Sequence, residues 1–274
     1  MPAAPRSITD PPEPPPEAPP GASRATPAPA PTPPVEVDLD AAEAHLSRVS
    51  AHDIVAWAAD AFPAGRLALT TSFGVQAAVM LHLVTEVIPG IPVVFVDTGF
   101  HFQETHRFAD ELTARLKLDL RVAQPPLSAA WYRARHGEKW LTDPDGYDRD
   151  RKVEPMERAL AELDPAATLA GLRRGQTDNR RGMRHVVVQG GRHKVLPILR
   201  WSTKDVYQYL KAHDLPFHPL HEKGYASVGD WHSTRPIGAG EDERAGRFNG
   251  LKQECGLHLP STEAEAASRA SSSL

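Results

Sequence analysis

The sequence predicts an α/β protein built on a mostly parallel sheet, and three observations carry this prediction. Short apolar runs alternate with amphipathic stretches of helical spacing between about residues 46 and 213. Several of the apolar runs end in polar or glycine-rich residues, which is where parallel sheets bind their ligands. The chain on either side of this region differs in composition and does not continue the alternation.

The two ends of the chain are predicted to stand apart from a domain at residues 37–259. Residues 1–36 hold about half of the 27 prolines, so they have little apolar surface to bury and are expected to be disordered. Residues 260–274 are small and polar, which predicts a flexible tail. No stretch resembles a secretory signal or reaches membrane-spanning length, so we expect a cytoplasmic protein that does not bind membranes.

The first elements are predicted from apolar spacing. Residues from Leu46 to Phe62 recur at helical spacing and stop at Pro63, which predicts a helix. Strands are then predicted at Leu67–Thr71, Pro92–Val96 and Leu118–Val122, with helices between them at Val75–Val87 and Phe102–Leu116.

The later elements follow the same logic. Thr168–Leu172 predicts a fourth strand, and Trp201–His213 has helical spacing. That helix begins with a capping box, in which Ser202 is the N-cap and Asp205 the third helical residue. Two apolar runs, Val186–Val188 and Val195–Ile198, lie between the fourth predicted strand and this helix.

Polar residues at the predicted strand ends are candidates for an anion site. Ser72-Phe73-Gly74 lies between a strand and a helix, where free backbone N–H groups and the helix dipole attract negative charge. It matches neither the Gly-Lys-Ser/Thr phosphate loop nor the Gly-x-Gly-x-x-Gly dinucleotide motif, and Ser or Thr before a helix is most often an N-cap. Asp97-Thr98-Gly99, after the second strand, is also consistent with a simple turn.

Arginines gather after the fourth predicted strand. Arg173 and Arg174 are followed by Arg180, Arg181 and Arg184, and such cations repel one another unless an anion lies between them. The net charge is −4, so local basic clusters favour a small polyanionic ligand over nucleic acid, whose binders interleave aromatic residues with cations. A solvated basic surface explains any single cluster as well.

Cys255 is the only cysteine of the chain. One thiol excludes an intramolecular disulfide, a four-cysteine zinc site and a cysteine-ligated iron–sulfur cluster. A lone cysteine is usually a small buried hydrophobe. Here Arg244, Arg247, Lys252 and His258 lie nearby in sequence, and cations stabilise the nucleophilic thiolate.

Six blocks that occur in order along the chain resemble one enzyme family. Between Val55 and Leu259 the chain is similar to the assimilatory phosphoadenylyl-sulfate (PAPS) reductases, relatives of the adenylyl-sulfate (APS) reductases. The resemblance implies a Rossmann-like adenine-nucleotide α-hydrolase fold, with a nucleotide-binding sheet at about 53–215 and a mobile catalytic arm at about 225–259. The blocks are Thr71-Ser72-Phe73-Gly74-Val75-Gln76, Val96-Asp97-Thr98-Gly99, Lys152-Val153-Glu154-Pro155-Met156, Gly171-Leu172-Arg173-Arg174-Gly175-Gln176, Tyr225-x-Ser227-Val228-Gly229-Asp230 and Gly250-Leu251-Lys252-x-Glu254-Cys255-Gly256-Leu257-His258.

The resemblance also bears on substrate and cofactor. APS reductases carry a Cys-Cys pair and a Cys-x-x-Cys pair that hold a [4Fe–4S] cluster, and this chain has Tyr147-Asp148 and Asp230-x-x-Ser233 at those positions. It therefore resembles the branch that has no cluster, uses PAPS and needs no cofactor. Residues 236–247 are more similar to the APS-reductase version of that segment, so a cluster-free APS reductase stays open.

Roles for single residues are implied by the same resemblance. The Cys255 thiolate would attack the sulfuryl group of PAPS to give an S-sulfonate, and thioredoxin or glutaredoxin would then release sulfite. Lys152, Arg244, Arg247 and His258 would stabilise the charge that develops. Substrate contacts would come from Ser72, Phe73, Gly74, Gln76 and Arg173 at the nucleotide phosphates, from Asp97 and Gly99 at adenosine, and from Arg174, Arg180 and Arg235 at the 3′-phosphate.

Other functions stay open at the level of sequence. Without the resemblance, the cations are ordinary surface residues and His258 belongs to a polar tail. A non-catalytic nucleotide-binding regulator would keep the fold without the chemistry. An ATP-using adenylating enzyme would need a Ser-Gly-Gly-x-Asp-Ser loop where this chain has Thr71-Ser72-Phe73-Gly74. A homodimer is compatible with all of these.

Overall fold

The central feature of the computed structural model is a six-stranded sheet with the strand order β3-β2-β1-β4-β6-β5. The structure describes residues 35–238 and 240–248. Neighbouring strands are parallel except for the last pair, which is antiparallel, so the predicted mostly parallel sheet is confirmed. The strands are β1 (Leu67–Thr71), β2 (Pro92–Val96), β3 (Asp119–Ala123), β4 (Ala167–Ala170), β5 (Val186–Gln189) and β6 (Arg192–Val195).

Helices cover the sheet, and one predicted helix is divided in two. Where the sequence predicts one helix from Leu46 to Phe62, a helix ends at Leu46 and the next begins at Ala51, because Ser50 caps the second helix in a capping box with Asp53. The helices are α1 (Leu39–Leu46), α2 (Ala51–Ala61), α3 (Ala77–Val87), α4 (Gln103–Leu116), α5 (Ala129–His136), α6 (Lys139–Thr142), α7 (Pro144–Asp148), α8 (Glu154–Leu163) and α9 (Thr203–Ala212).

Two details of local sequence set the remaining boundaries. The capping box of Ser202 and Asp205 is present at α9, as predicted. The β5–β6 hairpin turns at Gly190 and Gly191, both of which have a positive φ that suits a two-residue turn. Among the described residues, no helix is long and apolar enough to cross a membrane.

The core lies on both faces of the sheet because strand residues alternate between them. On one face Leu69 and Val93 pack in the main core with buried residues of α2, α3, α4 and α9. On the other face Ala68 and Val94 pack against Met156 of α8. The chain runs outward from β1 to β3 and then returns to the opposite side of β1 for β4. The loops after β1 and β4 therefore leave the sheet on opposite sides, which opens a crevice at the carboxyl ends of these two strands. Sheets of this kind bind ligands in such a crevice.

Candidate active site

A cleft occupies this crevice and collects residues from distant parts of the sequence. Its walls come from the ends of β1, β2 and β4, from the start of α3, from the loop at 226–230 and from the last described segment, residues 244–248. Among the predicted site residues it is lined by Ser72, Gly74, Gln76, Lys152, Arg180, Arg244 and Arg247.

The loop between β1 and α3 is anchored by Phe73. Phe73 has a φ of 45°, its backbone N–H donates to Thr71 Oγ1 at 3.1 Å, and its ring lies edge-on to Phe95 in the core. The side chain is fully buried and therefore does not line the cleft. Phe73, predicted as a phosphate contact, instead turns the loop so that Ser72 and Gly74 face the cleft.

Arg173 acts behind the cleft wall. Its guanidinium is 2% exposed and donates to Gln76 Oε1 at 2.9 Å, to Glu243 Oε2 at 2.9 Å and to Thr203 Oγ1 at 3.2 Å. Burial lowers the pKa of Arg173, and the nearby carboxylate of Glu243 partly offsets this effect. Arg173 thus joins the loop before α3 to residue 243 rather than lining the cleft.

Several other predicted contacts lie beside the cleft. Asp97 accepts hydrogen bonds from the N–H of Gly99 at 2.9 Å and from Gln124, and neither Asp97 nor Gly99 lines the cleft. Burial raises the pKa of Asp97, but these hydrogen bonds and the nearby His106 outweigh it, so the pKa lies below its usual value. Arg235 forms a two-point ion pair with Glu241 at 2.9 and 3.0 Å, away from the cleft lining.

A second pocket adjoins the cleft, and we call it the arginine pocket. It is lined by Arg174, Arg181, Arg244 and Arg247, and it shares the last two with the cleft. Arg174 is held by the carbonyl of Met183 at 2.6 Å and by Glu43 at 3.3 Å. Asp178 and Asp242 line the pocket as well, so guanidinium groups outnumber carboxylates there.

The last described residues reach the cleft as a strap, which we define as residues 240–248. The N–H of Arg235 donates to the carbonyl of Gly246 at 2.9 Å, so the strap folds back on the preceding segment. A Cβ at Gly246 would clash with the backbone carbonyl oxygen of Arg235, which explains the glycine. Glu243 ties the strap to Arg173, and Arg247 then packs against Gly229 and the ring of Phe248. Cys255 and His258 lie outside the described residues.

Lys152 lies at the centre of a buried ionic network on the cleft wall. Its Nζ is 2.7 Å from Asp148 Oδ1 and 2.8 Å from Asp230 Oδ2. The Asp230 carboxylate is fully buried and also accepts hydrogen bonds from Thr98 at 2.5 Å and from Tyr147 at 3.0 Å. Burial alone would raise the pKa of Asp230, but the adjacent Lys152 ammonium lowers it, so the carboxylate stays ionised.

His232 extends this network into a cluster of aromatic rings. It stacks on Trp140 with ring centroids 4.2 Å apart, and its Nε2 lies 2.9 Å from the Tyr147 hydroxyl. Burial lowers the pKa of His232 to about 4, so the ring is neutral at pH 7. Because the Tyr147 hydroxyl donates to Asp230, it accepts from His232 Nε2–H.

The positions that correspond to the cluster cysteines of APS reductases meet in this network. Tyr147 and Asp148 come from α7, while Asp230 and Ser233 are some 80 residues further along, and the hydroxyl of Ser233 donates to the carbonyl of Asp230 at 3.3 Å. Iron–sulfur clusters are held by thiolates. The donor set here is hydroxyl and carboxylate oxygen, which does not fit such a cluster.

Comparison with known proteins identifies the family. The model of the phosphoadenosine phosphosulfate reductase domain matches residues 66–236. A protein of Synechocystis named phosphoadenosine 5′-phosphosulfate reductase is 53% identical over 244 residues, which cover 87% of this chain and 98% of the relative. The chain belongs to the phosphoadenosine phosphosulfate reductase family. A protein of the same name from Shewanella oneidensis is 49% identical over 226 residues, covering 81% of this chain and 92% of the relative.

Solved structures agree with this family membership. The crystal structure of a PAPS reductase from Candida auris, a phosphate complex, superposes with a TM-score of 0.66 at 28% identity and covers 74% of this chain and all of its own. FMN adenylyltransferase from Candida glabrata matches with a TM-score of 0.53 at 18% identity, covering 70% of this chain and 64% of its own. This second likeness shows the fold alone, an α/β fold with a mostly parallel sheet.

Some cleft residues of this reductase family member were not predicted from the sequence. Thr98, His101 and Gln176 line the cleft, and Glu243 holds the strap. For Asp230, the resemblance indicates only a position without cysteine. Its position in the short, uncharged run Ser227-Val228-Gly229 could have indicated burial. A carboxylate that is buried on folding needs a cation or hydrogen-bond donors beside it.

Proposed function

We propose that this chain reduces PAPS to sulfite and adenosine 3′,5′-bisphosphate. The observation that carries the proposal is the convergence of Lys152, Arg180, Arg244 and Arg247 on one cleft at the carboxyl ends of β1 and β4. A nucleotide with several anionic groups matches this set of cations. The named relatives, which are phosphoadenosine 5′-phosphosulfate reductases at about half identity, support PAPS as that nucleotide.

The proposed chemistry needs one thiol from the chain. The Cys255 thiolate attacks the sulfuryl sulfur, an S–S bond forms, and the sulfur–oxygen bond to the nucleotide phosphate breaks to release adenosine 3′,5′-bisphosphate. A thiolate of thioredoxin then attacks Sγ of Cys255 and displaces sulfite, which leaves with the bonding electron pair. The second thiol of the donor resolves the mixed disulfide. The donor dithiol thus supplies both electrons, and no further redox group is required.

The cleft supplies the electrostatics for the first step. Negative charge shifts onto the leaving phosphate as the sulfur–oxygen bond breaks, and fixed cations near it lower the barrier. Lys152, Arg244 and Arg247 line the same cleft as Ser72 and Gly74, whose loop precedes the N-terminus of α3. We assign the first three residues to the reacting groups and the loop to the nucleotide phosphates.

The arginine pocket favours PAPS over APS. PAPS differs from APS by a 3′-phosphate, and Arg174 and Arg181 of this pocket, which Asp178 and Asp242 also line, offer guanidinium donors to a dianion. The test is sulfite release from PAPS and from APS at matched concentrations with thioredoxin. Faster turnover of PAPS supports the assignment. Faster turnover of APS selects the cluster-free APS reductase, the alternative that residues 236–247 suggest.

A direct test of the thiol mechanism uses no reductant. Incubation with PAPS should add the mass of one sulfonate to the intact protein, and peptide mapping should place it on Cys255. Cys255→Ser should bind adenosine 3′,5′-bisphosphate but form no adduct. Binding without any adduct on the unmodified chain points instead to a nucleotide-binding regulator.

The affinity for PAPS gives a quantitative prediction at Arg180, which lines the cleft. Loss of a charge-assisted hydrogen bond costs about 1.5–3 kcal/mol, so Arg180→Gln should raise KM for PAPS by roughly 10-fold or more. Arg133→Gln is the matched control, since Arg133 is an exposed arginine paired with Glu138 at 3.8 Å outside the cleft lining. An unchanged KM in Arg180→Gln would remove Arg180 from the binding site.

A further inference from the structure

In the described part of the chain, one lysine–aspartate–tyrosine network lies on the cleft wall and another with similar geometry lies away from the cleft. In one, Lys152 Nζ and the Tyr147 hydroxyl contact Asp230 Oδ2 at 2.8 and 3.0 Å. In the other, Lys139 Nζ and the Tyr132 hydroxyl contact Asp150 Oδ2 at 2.7 and 2.9 Å. Both tyrosines belong to one aromatic cluster. Lys152 and Asp230 line the cleft, whereas no member of the second network does.

Burial makes the first network depend on Asp230. The Lys152 side chain is 10% exposed, and a largely buried ammonium is costly unless carboxylates compensate its charge. Asp148 and Asp230 provide that compensation from two sides. Asp230 itself is fixed by Thr98 at 2.5 Å and by Tyr147 at 3.0 Å, so its carboxylate has little freedom to move.

We propose that Asp230, oriented by Tyr147, is a positioning residue that holds the Lys152 ammonium in place on the cleft wall. The inference rests on the proposed PAPS reduction, in which Lys152 faces the reacting groups. Asp230 does this from the position at which APS reductases carry a cluster cysteine. An ion pair of side chains thereby fixes the lysine in a chain that has one thiol.

Other charged and titratable groups also face Lys152. Arg247 reaches the same cleft, and the Lys152 ammonium lies 5.7 Å from the Phe248 ring beside it. His101 and His232 approach Asp230 to 3.9 Å, and burial lowers the pKa of each. Both imidazoles are therefore neutral at pH 7, and Asp148 and Asp230 carry the negative charge next to the lysine.

The test is the single-turnover rate of adduct formation on Cys255 with PAPS, measured without thioredoxin. Tyr147→Phe keeps the ring and every charge but removes one bond that fixes Asp230. We expect its rate to fall roughly 10-fold, because a small misplacement of a charge-stabilising group slows the step without weakening binding. The dissociation constant of adenosine 3′,5′-bisphosphate should stay within about twofold, since product lacks the sulfuryl group. Asp230→Asn should show a larger fall of the same kind.

The second network provides matched controls. Tyr132→Phe removes a hydroxyl from the same aromatic cluster, and Asp150→Asn removes the carboxylate that this hydroxyl contacts, so both should leave the rate unchanged because neither residue lines the cleft. Double-mutant cycles distinguish positioning from a general loss of stability. The effects of Asp230→Asn and Lys152→Gln on the rate should be strongly non-additive, because the two residues act together. The effects of Asp150→Asn and Lys152→Gln should be additive.

The outcomes separate the two proposals. If the unmodified chain forms no adduct, the proposed function fails. If it forms the adduct and a folded Tyr147→Phe and Asp230→Asn match its rate, the positioning role fails while the function stands. Equal losses in the Tyr147→Phe and Tyr132→Phe variants also overturn the positioning role, since a purely structural effect would then explain both.

Discussion

At the scale of single residues, Gly229 shows how a missing side chain makes room for a functional one. A Cβ at this position would overlap the guanidinium of Arg247, which lies against the glycine. The clashing atoms belong to the end of a flexible side chain, so Arg247 can move away while the backbone stays in place. A substitution at Gly229 should therefore affect the cleft more than the fold.

This gives a prediction for Gly229→Ala. We expect PAPS reduction to fall about 10-fold or more as Arg247 loses its position near the leaving group, with an unfolding temperature close to that of the unmodified protein. Gly182→Ala is the control, because a Cβ at Gly182 meets nothing within 4 Å and Gly182 does not line the cleft. Activity that persists in Gly229→Ala would show that the position of Arg247 does not matter.

The buried imidazole of His218 should make the stability of the protein depend on pH. The side chain is fully buried, its Nδ1 accepts from the N–H of Leu220 at 3.1 Å, and its Nε2 lies 3.2 Å from Thr105 Oγ1. Burial lowers its pKa to about 4, against 6.5 for the unfolded chain. The unfolded chain thus binds a proton more readily, so stability present above pH 6.5 is lost as the pH falls towards 4.

The corresponding prediction compares unfolding temperatures at pH 7 and pH 5. The unmodified protein should lose stability over this range, and His218→Asn should lose less, although it starts from a lower value because its packing on Phe108 is removed. His52→Asn, which changes an exposed histidine, should keep the full pH dependence. An identical pH dependence in His218→Asn and the unmodified protein would contradict the assignment.

The cleft was predictable from sequence to the extent that motif order marks strand ends. Ser72 and Gly74 line the cleft because they directly follow β1, and a strand end in a parallel sheet fixes the position of the residues after it. Lys152 also lines the cleft, but it lies in the turn before α8, where no strand end predicts its position. Phe73 was predicted as a contact and is buried. The motif places the residue in the loop but does not encode that its φ is positive, which turns the ring into the core.

At the scale of elements, an ion pair between Glu243 and Arg173 joins the strap to the cleft loop. Glu243 accepts from Arg173 at 2.9 Å, and Arg173 also holds Gln76 at the cleft loop. This ion pair spans 70 residues of sequence and fixes the segment that carries Arg244 and Arg247. The strap is the described segment nearest in sequence to Cys255, so its position bears on how the thiol reaches the substrate.

We predict that Glu243→Gln loosens the strap. Weakening the partner of a buried charged donor costs about 1–3 kcal/mol, so trypsin should cut at Arg244 and Arg247 faster than in the unmodified protein, and PAPS should slow this cleavage. The rate of adduct formation should fall in parallel. Glu138→Gln, which breaks an exposed pair with Arg133, is the control and should change neither rate. Unaltered cleavage in Glu243→Gln would mean that other contacts hold the strap.

Elements differed in how well the sequence predicted them. The bounds of β1 and β2 match the prediction because central parallel strands are continuous apolar runs with clear ends. The short helices α5, α6 and α7 were not predicted, since each spans one to two turns and buries isolated aromatic residues such as Tyr132, Trp140 and Tyr147. Their packing depends on the loop at Phe100 and on His232, which are remote in sequence.

At the scale of the whole molecule, topology accounts for the position of the cleft. Strands β1 to β3 are added towards one edge of the sheet, and β4 is then added on the other side of β1. The ends of β1 and β4 are therefore adjacent, although the two strands are about 100 residues apart in sequence. The loop after β4 then carries Arg173 and Arg180 to the loop after β1. An alternating pattern predicts this class of fold, but the strand order that joins these loops depends on long-range packing.

The extent of the functional domain gives a last prediction. Val35 packs partly against the core, and α1 contributes the fully buried Leu46 as well as Glu43, which bonds His185 and Arg174. Removing residues 1–33 should therefore leave the unfolding temperature and PAPS turnover unchanged, because their composition offers little apolar surface. Removing residues 1–48 takes away α1 and should cost about 2–5 kcal/mol, the range for emptying a buried leucine site. A large loss on the shorter deletion would show that the proline-rich leader contributes to folding or catalysis.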